Sequence, residues 1–61
     1  MEITKQKVEA YLDDLVVKIY LSQGKPEDLR KLSQAIFTLE QAGHNLKVYR
    51  YAEQELINEY T

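Results

Sequence analysis

Between Thr4 and Ser22 the apolar residues Val8, Leu12, Leu15 and Ile19 recur at intervals of four, three and four, the repeat that keeps side chains on one face of a helix. Tyr11 and Val16 flank that stripe. After Pro26 a second stripe, Leu29, Leu32, Ile36 and Leu39, is widened by Ala35 and Ala42. A third follows Asn45 and comprises Leu46, Tyr49, Ala52, Leu56 and Tyr60. The residues between the stripes are helix punctuation. Thr4 is suited to cap the first helix, and Gln23 with Gly24 to close it. Pro26 fits a first helical position, with Glu27 and Asp28 placing negative charge at the positive end of the helix dipole. Gly43 ends the second helix and Asn45 is a candidate cap for the third. The pattern predicts an all-α protein, a small three-helix bundle with helices over about residues 4–22, 26–42 and 45–60, forming one domain over 1–61. A join of two or three residues makes the second and third helices double back on one another.

The first helix has a second apolar side. At about 100° per residue, Ile3, Ala10, Val17 and Leu21 fall opposite the core stripe. Phe37 lies off the stripe of the second helix, and Val48 and Tyr51 point away from Leu56 on the third. Burying a Val, Leu, Ile or Phe side chain is worth about 1.5–3 kcal/mol, and a core in a chain below roughly 70–80 residues seldom yields more than about 3–5 kcal/mol net. The surplus therefore predicts a contact with a second copy or with another protein, through Ile3, Val17, Leu21, Phe37, Val48 and Tyr51. Closed two-fold symmetry is the commonest form of self-association, so a homodimer is the expected assembly.

Composition removes most alternatives. The 61 residues contain no cysteine and one histidine, which excludes disulfide staples and thiolate metal sites and makes a structural zinc an unfavoured reading. A net charge of -2 gives no general attraction for phosphate backbones or anionic membranes. The opening residues lack the apolar stretch of a secretory signal, and no apolar run approaches the ~20 residues that span a bilayer. The expected location is the cytoplasm.

No residue pattern specifies a reaction. His44 falls in the turn beside Gly43, where Glu40 is its nearest acidic neighbour in the preceding turn, and Ser22 and Ser33 have no recognisable base. Asp13 and Asp14 diverge around their helix, Glu27 and Asp28 are explained by the helix start, and Glu55 with Glu59 reads as a solvated acidic edge. The chain is therefore read as non-enzymatic, with no metal, cofactor or small-molecule substrate. Tyr11, Tyr49 and Tyr60 belong with the core stripes. Tyr20 and Tyr51 are better placed for an interface.

The charges of the third helix run against its dipole. Lys47 and Arg50 stand in its first turns, whereas Glu53, Glu55 and Glu59 stand later, at a cost of roughly 0.3–1 kcal/mol per exposed charge. Solvent screening accounts for this simply; a partner would account for it functionally. Two functions follow from the sequence. The first is a protein–protein interaction or regulatory protein acting through apolar helix faces as a homo-oligomer or on a protein target. The second is a helix-turn-helix DNA-binding regulator, with His44, Asn45, Lys47, Arg50 and Tyr51 at the start of the third helix reaching bases and phosphates. Leu39, four residues before the turn glycine where close packing favours a small side chain, and the acidic chain count against the second.

Overall fold

Thr4 begins the first helix as the sequence predicts: its hydroxyl accepts a hydrogen bond from the Lys7 backbone N–H at 3.2 Å, which satisfies one of the donors a helix start leaves free. The computed structural model describes residues 4–61, so Ile3 lies outside the described residues. Helix α1 spans Lys5–Leu21, α2 Pro26–Gln41 and α3 Lys47–Tyr60. These are all the regular elements among the described residues, and their axes alternate in direction, so that α1 and α3 begin at the same end of a body 34 Å long and 17 × 16 Å across.

The two turns solve the same problem with different residues. After α1, the Gly24 N–H donates to the Ile19 carbonyl at 2.9 Å and the Gln23 N–H to the Tyr20 carbonyl at 3.2 Å. After α2, the His44 N–H donates to the Leu39 carbonyl at 3.1 Å and the Gly43 N–H to the Glu40 carbonyl at 3.0 Å. Both pairs form the double-bonded helix stop that needs a left-handed residue just past the last turn. At the second turn that residue is Gly43, with φ 99°. At the first it is Gln23, with φ 58°, and Gly24 follows with φ 77°. Gly24 is buried because the Tyr60 ring lies on it.

Helix α2 starts at Pro26 without a side-chain cap, and the Lys25 N–H instead donates to Ser22 Oγ at 3.4 Å. The third helix starts at Lys47, two residues later than the sequence predicts. Asn45 does accept a backbone bond, from the Lys47 N–H at 3.3 Å, but from one position before the capping residue, Leu46. The side-chain oxygen thus organises the turn rather than the helix end.

The core is the predicted set with few changes. Val8, Leu12, Leu15 and Ile19 of α1 close on Leu32 and Ile36 of α2 and on Leu46 and Leu56. Val16, Leu29, Ala35, Leu39, Tyr49 and Tyr60 pack around this centre. Two stripe residues differ from expectation, since Tyr11 and Ala42 are exposed at the edge. Helix α2 packs closely against both neighbours. The backbones of α1 and α3 approach each other least, and tyrosines fill the space: Tyr49 reaches Asp13 and the Glu9 carbonyl, and Tyr20 meets Tyr60 edge-on with ring centroids 6.4 Å apart.

Candidate interaction surface

Seven large apolar or aromatic side chains remain between 53% and 79% exposed: Tyr11, Val17, Tyr20, Leu21, Phe37, Val48 and Tyr51. Every described residue that the sequence assigns to a partner, Val17, Leu21, Phe37, Val48 and Tyr51, is in this group. Neither of the other helices covers the outer side of α1, because both pack on the face that carries Leu12 and Ile19. Leu21, the most open of the seven, touches the water that a partner would displace.

The candidates do not form a single patch. Tyr11 and Phe37 border one open depression with Leu15, Ala35 and Leu39, between α1 and α2. Val48 borders another, at the shared starting end of α1 and α3, with Lys5, Val8, Glu9, His44 and Lys47. Tyr20 stands on the flank of α1 that meets α3, whereas Val17 and Leu21 lie on the side opposite the core stripe. Tyr51 projects outward from α3, away from Leu56. Tyr20, expected only as an interface residue, is partly used within the fold by its contact with Tyr60.

A polar cluster between α2 and α3 is the feature that the periodicity concealed. Glu53 is only 8% exposed and accepts a hydrogen bond from the Ser33 hydroxyl at 3.3 Å. Arg50 donates through Nε and Nη2 to Glu40 Oε1 at 3.0 and 2.6 Å and through Nη1 to Glu53 Oε2 at 3.5 Å. The hydrogen bond to Glu40, reinforced by the charges of Glu40 and Glu53 against opposing desolvation, raises the Arg50 pKa above its ordinary value. Glu53 stands on the core side of α3 between Leu46 and Leu56, so a wheel that admits only apolar residues to the core passes over it. The signal that could have found it is its spacing of three from Arg50 and seven from Leu46.

This cluster changes the reading of the DNA-binding candidates. Arg50 is held by two carboxylates, and Glu40 is thereby taken from His44, which is half-buried in the turn. Asn45 and Lys47 are exposed beside it, and Tyr51 points outward. The start of α3 therefore offers one free lysine where the helix-turn-helix reading used two cations, and the carboxylates around Arg50 oppose a phosphate.

Near the α1–α3 boundary, the Tyr49 hydroxyl donates to Asp13 at 2.9 Å and to the Glu9 carbonyl at 3.4 Å. Burial, the bond to Asp13 and the nearby charges of Asp13 and Glu9 push its pKa up to about 12. Tyr60 is also raised, by burial first and then by Glu59 and Tyr20. Such shifts keep both phenols neutral at ordinary pH and create no general base. Among the described residues there is no group of three His, Cys, Asp or Glu side chains able to hold a metal, and no helix is long and apolar enough to cross a membrane. No protein-family model, curated protein or solved structure matches the chain. What the fold defines is a small three-helix bundle with open apolar faces.

Proposed function

We propose that this chain is a non-enzymatic interaction protein that works through the outer faces of its helices, with self-association as its basic form and a protein target as the further use of the same surface. The observation that carries this reading is the exposure of Val17, Leu21, Phe37, Val48 and Tyr51 in a bundle whose core is already complete without them. An exposed leucine alone has no meaning, but seven large apolar or aromatic side chains left more than half open on a 61-residue body are the feature a partner would cover. Occlusion or scaffolding by shape is the mechanism, since the side chains concerned have no reactive groups.

The test is sedimentation of the purified chain from low to high micromolar concentration, beside a Val17→Asp/Phe37→Asp variant. Both positions are outside the core, so the variant keeps its helicity while losing the associated species. A wild-type chain that stays monomeric throughout, or a variant that associates unchanged, refutes the reading.

A further inference from the structure

The outer side of α1 carries charges as well as open apolar residues. Lys7, Ala10, Asp14, Val17 and Leu21 follow one another at intervals of three, four, three and four. That spacing holds all five within about 80° of the helix surface, on the side opposite Leu12 and Ile19. All five are exposed. Because α2 and α3 both pack on the core side, neither stands between this stripe and an approaching helix. Resting on the interaction reading above, we propose that two copies of the chain meet along this stripe, α1 against α1 and antiparallel. The two-fold axis is perpendicular to both helices and passes at the height midway between Ala10 and Asp14.

The order of residues within the stripe carries the orientation. Ala10 and Val17 lie along one edge, and Lys7 and Asp14 along the other. A two-fold of this kind sets each edge against the same edge of the other copy, running the opposite way. The apolar edges then interleave as Val17, Ala10, Ala10, Val17, with the small alanines at the centre, where they let the two backbones approach closely. The charged edges interleave as Lys7, Asp14, Asp14, Lys7, so that each Asp14 lies beside Lys7 of the other copy. A parallel pair would instead set Lys7 against Lys7 and Asp14 against Asp14 at equal heights.

The single copy leaves this charge pattern unfinished. Lys7 has no ion-pair partner among the described residues, and it stands in a first turn without an acid, the unfavourable end of its helix dipole for a cation. The antiparallel partner lays the later turns of its own α1, the negative end of that dipole, beside this lysine. The two Asp14 carboxylates fall about one turn apart near the axis. Each is then flanked by two cations, Lys7 of the other copy and Lys18 of its own helix, the latter at 3.2 Å. Asp13, an acid of the neighbouring flank at a similar height, is held toward α3 by the bond from Tyr49 at 2.9 Å. One helix face about 21 Å long, at ~1.5 Å per residue, is small beside the ~800 Å² that each partner gives to a standard interface. The dimer expected is therefore a weak one, exchanging with monomer at micromolar concentrations.

Charge swaps test the arrangement. Lys7→Glu suits its helix dipole and Asp14→Lys gives up only an exposed ion pair, so both variants keep the bundle folded, checked by circular dichroism. Each alone brings like charges together on both sides of the axis and is expected to dimerise about tenfold more weakly than the wild type in sedimentation. The double variant Lys7→Glu/Asp14→Lys sets opposite charges beside one another again and should recover most of that loss. In a parallel pair neither single swap would change the balance, because like charges face each other before and after it. Val17→Asp should abolish the dimer, whereas Phe37→Asp on α2 should leave it unchanged. A wild-type chain that is monomeric throughout overturns both the self-association reading and this inference. A wild-type dimer overturns the inference alone if it tolerates both single swaps, if the double swap fails to restore it, or if Phe37→Asp breaks it while Val17→Asp does not.

Discussion

Replacing Gly24 with alanine tests whether that glycine is there to stop a helix or to seat an aromatic ring. An added Cβ would lie 2.6 Å from Tyr60 Cδ1, with Cγ and Cβ of the same residue closer still. The backbone at Gly24 also has φ 77°, a conformation that costs an L-residue about 1–2 kcal/mol. Overpacking a closed site adds typically 1–3 kcal/mol, while the smaller entropy of an unfolded alanine chain returns roughly 0.4–1 kcal/mol. The net loss expected for Gly24→Ala is therefore about 1–4.5 kcal/mol, a large part of the roughly 3–5 kcal/mol that a core of this size supplies. Urea denaturation followed by circular dichroism, at one fixed protein concentration so that association does not move the midpoint, measures the loss. Repeating it in a Tyr60→Ala background separates the two causes, because only the backbone strain, about 1–2 kcal/mol before the entropic return, persists there. A loss below about 0.5 kcal/mol, or an equal loss in both backgrounds, would falsify the packing argument.

The neighbouring turn residue gives the opposite sign: Gln23→Gly removes the left-handed strain at φ 58° and should stabilise the chain by about 0.5–1 kcal/mol, seen as a higher urea midpoint with an unchanged slope. Tyr49 makes the fold sensitive to alkali. Its pKa is about 12 in the folded chain against 10.0 as the ordinary value, so the stability it contributes is complete below about pH 10 and is lost as pH rises toward 12, where the unfolded chain releases the proton first. Tyr49→Phe should narrow the drop in melting temperature between about pH 8 and pH 11, and a drop equal to that of the wild type would show that Tyr49 is not responsible. Arg50→Met leaves Glu40 and the buried Glu53 facing each other without their cation, and is expected to lower the thermal midpoint, whereas Lys47→Met on the exposed face leaves it nearly unchanged. Equal midpoints for the two variants would remove the structural role assigned to Arg50.

Periodicity alone placed the helix ends to within one residue, apart from the start of α3, which comes two residues later, and chose nearly all the core, because Leu12, Ile19, Leu32, Ile36 and Leu56 each sit on a repeat that only a helix turns to one side. It also exposed the second apolar side of α1, since Val17 and Leu21 are separated from the core stripe by the same geometry. Contacts between helices lay beyond it. Which carboxylate Arg50 takes, why a glutamate is buried at position 53, and why a glycine must stand under Tyr60 depend on distances across the bundle, and a wheel drawn for one helix contains none of those. The same holds for the tyrosines: only the parallel register of α1 and α3 brings Tyr49 to Asp13 and Tyr20 to Tyr60. Local pattern is decided by bonds within a few residues, whereas complementarity is a property of side chains brought together from distant parts of the chain.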